Sequence, residues 1–159
     1  MPTFREMKTY RGQRLRLDLP DLLEHARFEL SRNRPLRLEM SGPTMRPTIE
    51  EGDILTIEPV DVTTIRPHDI VLYATSSGTA VVQRVIALEE RGGCTYAIMR
   101  GDRAEFPGTP IALHQILGRV VAIERRRSGR TISLKRGLPL RERLRHLLHR
   151  LFRRKRASH

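Results

Sequence analysis

The 159-residue chain has one cysteine, Cys94, and no tryptophan. A single thiol excludes a disulfide framework and any metal site built from several cysteines. Long apolar runs are missing too. The longest span a few residues, far short of the roughly 20 that a membrane-crossing helix needs. The first 18 residues hold nothing like the roughly 7–15 apolar residues of a secretory signal. Lysine is scarce: Lys8, Lys135 and Lys155 are the only three, so 27 of the 30 basic residues are arginine. No lysine lies between Lys8 and Lys135, and that gap decides a catalytic question.

What is present suits one domain with extensions. Hydrophobic residues make up 38%, a modest core, and aromatics 4%. The formal charge is +12. Residues 135–159 supply +9 of it: ten Lys/Arg against Glu142, leaving +3 for the rest. The basic excess is therefore local. The acids are scattered and Cys94 stands alone, so no metal or cofactor is implied. These features point to a cytoplasmic protein of a reducing compartment.

Residues 1–17 read as polar and irregular. Residues 20–31 have the leucine spacing of a short helix, with Pro20 and Asp21 suited to its first turn and Arg34-Pro35 to its end. From 36 to 134 the pattern changes to short strands, predicted at 36–41, 53–58, 69–75, 79–88, 94–99, 116–124 and 130–134. Gly, Asp, Ser and Pro clusters separate them. This predicts a mainly β domain with flanking helices, mostly antiparallel. Leu140, Leu144, Leu147, Leu148, Leu151 and Phe152 then return to helix period among arginines, which predicts a C-terminal basic amphipathic helix. The organisation expected is an N-terminal extension with one helix (1–35), the β domain (36–134) and the basic tail (135–159).

The segment Ser41-Gly42-Pro43-Thr44-Met45-Arg46-Pro47-Thr48-Ile49 resembles the nucleophile box of type I signal peptidases and LexA-type self-cleaving repressors, roughly G-x-S-M-x-P-T-[LI]. Further boxes follow in that superfamily's order. Glu51-Gly52-Asp53-Ile54-Leu55 resembles its Gly-Asp turn. Pro67-His68-Asp69-Ile70-Val71 resembles its G-D-I-V strand start, with His68 replacing glycine. Gln83-Arg84-Val85-Ile86 resembles the box of the catalytic base, usually K-R-V-I. Gly101-Asp102 and Ile116-Leu117-Gly118-Arg119-Val120 resemble its later turn and closing strand. Single boxes are weak, but this many in order over residues 38–124 is a strong signal. The resemblance implies a signal-peptidase/LexA-like β domain with a Ser–Lys dyad beside an edge strand that pairs with extended substrate.

Carried over by position, the nucleophile falls on Thr44 and the base on Gln83. Threonine can attack a carbonyl, although its methyl stiffens χ1 and crowds the approach. A carboxamide cannot accept the proton. Arg84 does not deprotonate at working pH. His68, in a predicted turn, and His114 are the histidines of the β region, and Ser41 is an alternative hydroxyl. Gly42, Met45, Pro47, Arg84, Gly101 and Asp102 are expected to shape the site.

Two readings follow from the resemblance. In the first the chain is a pseudoenzyme, a serine-peptidase homologue that binds extended peptide or protein segments. In the second it is an active peptidase using Thr44 with a non-standard base such as His68. The tail adds a third contact. Arg141, Arg145, Arg150, Arg153, Arg154, Lys155 and Arg156 suit an anionic membrane surface, peripherally at the inner face, or a polyanion. Packing of the leucine stripe on the β domain is the alternative. Specific nucleic-acid recognition is not expected: the 35 residues before the β region offer one helix, too little for a helix-turn-helix module, and no aromatic interleaving appears.

Overall fold

The computed structural model describes residues 5–8, 14–17 and 19–134, with side chains from residue 21 onward. A hairpin of β1 (Arg5–Lys8) and β2 (Arg14–Leu17) comes first and forms its own two-stranded sheet. Helix α1 (Leu19–Ser31) follows. Then come β3 (Leu36–Glu39), β4 (Ile54–Pro59), β5 (Ile70–Ala74), β6 (Ala80–Arg91), β7 (Cys94–Arg100), β8 (Thr109–Ala112), β9 (Ile116–Glu124) and β10 (Thr131–Ser133). These strands form one antiparallel sheet in the order β3-β4-β9-β5-β6-β7-β8, with β10 beside β9. Register shifts interrupt the β4–β9, β5–β9 and β6–β7 ladders. Such bulges raise local twist and curl the sheet into a half-barrel.

The curled sheet has a core on each side. On one side α1 buries Leu22, Leu23, Ala26 and Leu30 against β3, β4 and the alternate residues Ile70, Leu72, Ala80 and Val82. Each buried leucine contributes about 1.5–3 kcal/mol before entropy is charged. Asn33, in the left-handed region at φ 59°, ends the helix, and Arg34 N–H bonds back to the Glu29 carbonyl at 3.0 Å. The other side gathers Val71, Tyr73, Val85, Ala97, Met99, Ile111 and Ile116. Strand β5 is sandwiched between the two, so all five of its residues are buried and its sequence, IVLYA, is continuously apolar.

Two expectations change. The irregular segment 1–17 contains the β1–β2 hairpin, whose four-residue strands are too short to give a periodic signal. Strand β8 lies in a stretch read as turn, because Pro110 argues against a strand; proline is tolerated at this sheet edge, where a missing donor breaks no ladder. The predicted C-terminal helix lies outside the described residues.

Candidate functional site

The segment after β3 turns back on itself. Gly42 takes φ 88°, open to glycine at little cost. Met45 and Ile49 are fully buried and anchor the turn in the core under α1. Its backbone closes through Ile49 N–H to the Met45 carbonyl (2.9 Å) and Met40 N–H to the Asp53 carbonyl (2.8 Å). This leaves Thr44 and Pro47 exposed on the outside of the turn.

Thr44 lies against Gly101. A β-carbon on Gly101 would stand 2.6 Å from the Thr44 carbonyl oxygen and 3.4 Å from its Cβ, so only glycine fits. The same carbonyl accepts the Arg103 N–H at 3.1 Å. In the β6–β7 ladder Arg84 faces Arg100 and Val85 faces Met99. One further step in that register sets Gly101 across from Gln83. Cross-strand neighbours share a face. Thr44 therefore occupies the place of the side chain that Gly101 lacks, on the face that Gln83 uses.

Gln83 is half-buried and already engaged. The Tyr73 hydroxyl donates to its Oε1 at 2.8 Å. Burial pushes the Tyr73 hydroxyl above its ordinary value, so it stays a donor. The Gln83 Nε2 makes no hydrogen bond among the described residues, and none joins Gln83 to Thr44.

Arg84 projects to the opposite face and grips Asp102 with two bonds, Nε to Oδ1 and Nη2 to Oδ2, each 2.7 Å. Its Nη1 donates to the His68 carbonyl at 3.0 Å, and the Thr48 hydroxyl donates to Asp102. Burial alone would push the Asp102 carboxyl up. The Arg84 and Thr48 hydrogen bonds, with the charges of Arg84 and Arg100, outweigh it and hold the carboxyl below its ordinary value. The Asp102 carboxylate in turn pushes the Arg84 guanidinium up.

Two further aspartates of the sequence boxes are held by arginine. Asp53, 2% exposed, accepts from Arg125 Nη1 (2.6 Å), Glu50 N–H (2.9 Å) and Arg126 N–H (3.2 Å). Asp69, 7% exposed, accepts Arg66 N–H and pairs with Arg119 at 3.3 Å. A polar cavity of about 440 Å³ lies beside the first, lined by Arg46, Glu50, Glu51, Asp53, Arg126 and Arg127.

The structure thus brings Thr44, Gln83, Arg84, Gly101 and Asp102 into one neighbourhood, with Gly42, Met45 and Pro47 shaping the turn. His68 is exposed and sits at φ 77°, its N–H bonded to the Val85 carbonyl at 2.7 Å. His114 is exposed in the 3₁₀ turn Leu113–Gln115. Ser41 is half-buried at the start of the turn, and Cys94 is exposed next to the Gly92-Gly93 turn. Arg141, Arg145, Arg150, Arg153, Arg154, Lys155 and Arg156 lie outside the described residues. Sequence reasoning missed Tyr73, Thr48, Arg100 and Arg103. The one signal for Tyr73 was an aromatic with a polar tip inside an apolar strand, which needs a partner.

Among the described residues no group of His, Cys, Asp and Glu could hold a metal ion, and no helix is long and apolar enough to cross a membrane. No family model, curated protein or solved structure matches the chain.

Proposed function

We propose that the chain is a signal-peptidase/LexA-like scaffold that holds extended peptide segments and does not cleave them. The observation that carries this reading is Gln83. The position of the base holds a carboxamide, fixed by Tyr73, while the turn of Thr44, the Arg84–Asp102 pair and Gly101 are assembled around it. A hydroxyl with no proton acceptor is a poor nucleophile. His68 supports the resemblance in another way. Its positive φ is the conformation that favours glycine, the residue expected at that place in the G-D-I-V box.

The proposed binding mode is strand addition. β3 has a ladder partner, β4, on one side only, and it runs directly into the Thr44 turn. Main-chain hydrogen bonds along such an edge give affinity without chemistry. The partner is a peptide or protein segment met in the cytoplasm.

The test compares protein N-termini by mass spectrometry in host cells carrying wild type, Thr44→Ala or Thr44→Ser/Gln83→Lys. New N-termini are expected with the double variant alone. Termini produced by wild type and lost with Thr44→Ala would show a working peptidase and overturn the reading.

A further inference from the structure

We propose that the site takes the free C-terminal carboxylate of its peptide. This rests on the peptide-binding reading and names what that site recognises.

The argument starts from donors. Tyr73 occupies the Gln83 oxygen, which leaves the Gln83 NH2 group to act as a donor. The Thr44 carbonyl is already filled by the Arg103 N–H, while its hydroxyl is exposed. The region around Gly101 therefore offers hydrogen-bond donors and few open acceptors. A ligand group that fits must accept, and must do so without being deprotonated by the protein.

Charge points the same way. Arg84 is neutralised by Asp102. Arg46, Arg100 and Arg103 flank the same turn and carry no ion pair among the described residues. Arg100 is near enough to Asp102 to help hold its carboxyl down. The acids in the vicinity are Glu105, exposed beyond Arg103, and Glu50 and Glu51, which line the cavity on the far side of the turn with Arg46. A neutral internal peptide carbonyl makes no use of the flanking cations. A carboxylate does, and charge-assisted hydrogen bonds are about twice as strong as neutral ones. A peptide lying along β3 toward Thr44 would bring its last residue to these donors, and nothing would extend beyond.

The test uses the full chain and two pools of random decapeptides, one with free C-termini and one amidated, some of the latter with internal Asp or Glu. Retained peptides are counted by mass spectrometry, and the best are titrated by calorimetry. Free acids are expected to bind at least about tenfold tighter than their amides, since a charged hydrogen bond is worth that much. Equal retention of acids and amides would overturn the inference and leave strand binding standing. Retention of internal acids alone would assign the donors to an acidic side chain and also overturn it. No retention from either pool would overturn the underlying reading as well. Gln83→Glu provides a second arm. It keeps an acceptor for Tyr73 and replaces the NH2 donor with a negative oxygen, so it should abolish the preference for acids. An intact preference in a folded Gln83→Glu protein would refute the role of Gln83.

Discussion

Replacing Asp102 by asparagine should cost this fold far more than a surface charge does. The two side chains of the pair are 23% (Arg84) and 13% (Asp102) exposed. Removing one partner of a fully buried pair costs about 3–5 kcal/mol, and an exposed pair contributes about 0–1 kcal/mol. The geometry here is two-pronged and reinforced by Thr48, but not fully buried, so Asp102→Asn should lose about 2–3 kcal/mol. For a domain of this size that is a fall in Tm of about 6–15 °C. Thermal melts followed by circular dichroism measure it directly. Arg91→Ala, which breaks an exposed pair with Glu89, should stay within about 0.5 kcal/mol and serves as the control. The pair also predicts a pH signature. The folded Asp102 carboxyl titrates below its ordinary value of 3.8, so its contribution is complete above that value and is lost as pH falls through the depressed one. The gap between wild type and Asp102→Asn should therefore be wide near neutral pH and close in acid, below about pH 4. A loss under about 0.5 kcal/mol at neutral pH, or a gap that does not narrow in acid, would refute the reasoning.

Gly101→Ala should destabilise by about 1–3 kcal/mol, because its β-carbon meets the Thr44 carbonyl at 2.6 Å; chemical denaturation measures it, and the variant should also lose peptide binding. Asp53→Asn removes a buried charge held by Arg125 and two backbone N–H groups, and should cost about 3 kcal/mol by the same assay. His68→Gly should be neutral or stabilising by up to about 1 kcal/mol, since glycine adopts the φ of 77° freely and keeps both backbone hydrogen bonds. It should leave peptide binding unchanged, whereas a catalytic His68 would make it the more damaging change. Removing residues 135–159 takes away +9 of the +12 charge and should abolish co-sedimentation with anionic vesicles, with binding by the full chain falling as salt rises.

The strands were legible where apolar β-branched residues run between turn signals, as in β4, β5 and β9. β5 stood out because both its faces are covered. β6 is longer than its sequence suggested, since after Leu88 it becomes Glu89-Glu90-Arg91 and carries on into solvent as a hairpin arm. There the ladder with β7 sustains the strand while the hydrophobic signal has stopped. The site shows the same division. Thr44, Gln83, Arg84, Gly101 and Asp102 were each visible as box residues. That Arg84 grips Asp102, that Gly101 makes room for Thr44, and that Tyr73 holds Gln83 depend on register between separate strands. No local pattern encodes register across 10 to 57 residues of chain.

The residues of the boxes divide by role, and the division bears on the double substitution. Asp53, Asp69, Arg84, Gly101 and Asp102 each do a structural job that would be needed with or without chemistry. Thr44 and Gln83 are the positions that chemistry alone would constrain. Restoring both by Thr44→Ser/Gln83→Lys should therefore place the reacting groups in a frame already built for them. Serine removes the methyl that crowds attack, but without a base it gains little, so Thr44→Ser alone should remain inactive. A lysine at 83 would enter a half-buried position beside Tyr73, close to Arg100 and Arg103, with Asp102 already claimed by Arg84. Burial and neighbouring cations both favour its neutral form, the one that accepts a proton. The positive field proposed to hold a carboxylate is thus the field that would arm a lysine. Cleavage by the double variant should rise with pH through a lysine value well below the ordinary one of about 10.4. The peptide-acid preference of the wild type should weaken in the same protein near neutral pH, because a neutral amine replaces the Gln83 carboxamide without adding charge. A folded double variant that cuts no peptide retained by wild type would show that Thr44 and Gln83 are not poised as a dyad, and the resemblance would then describe the framework alone.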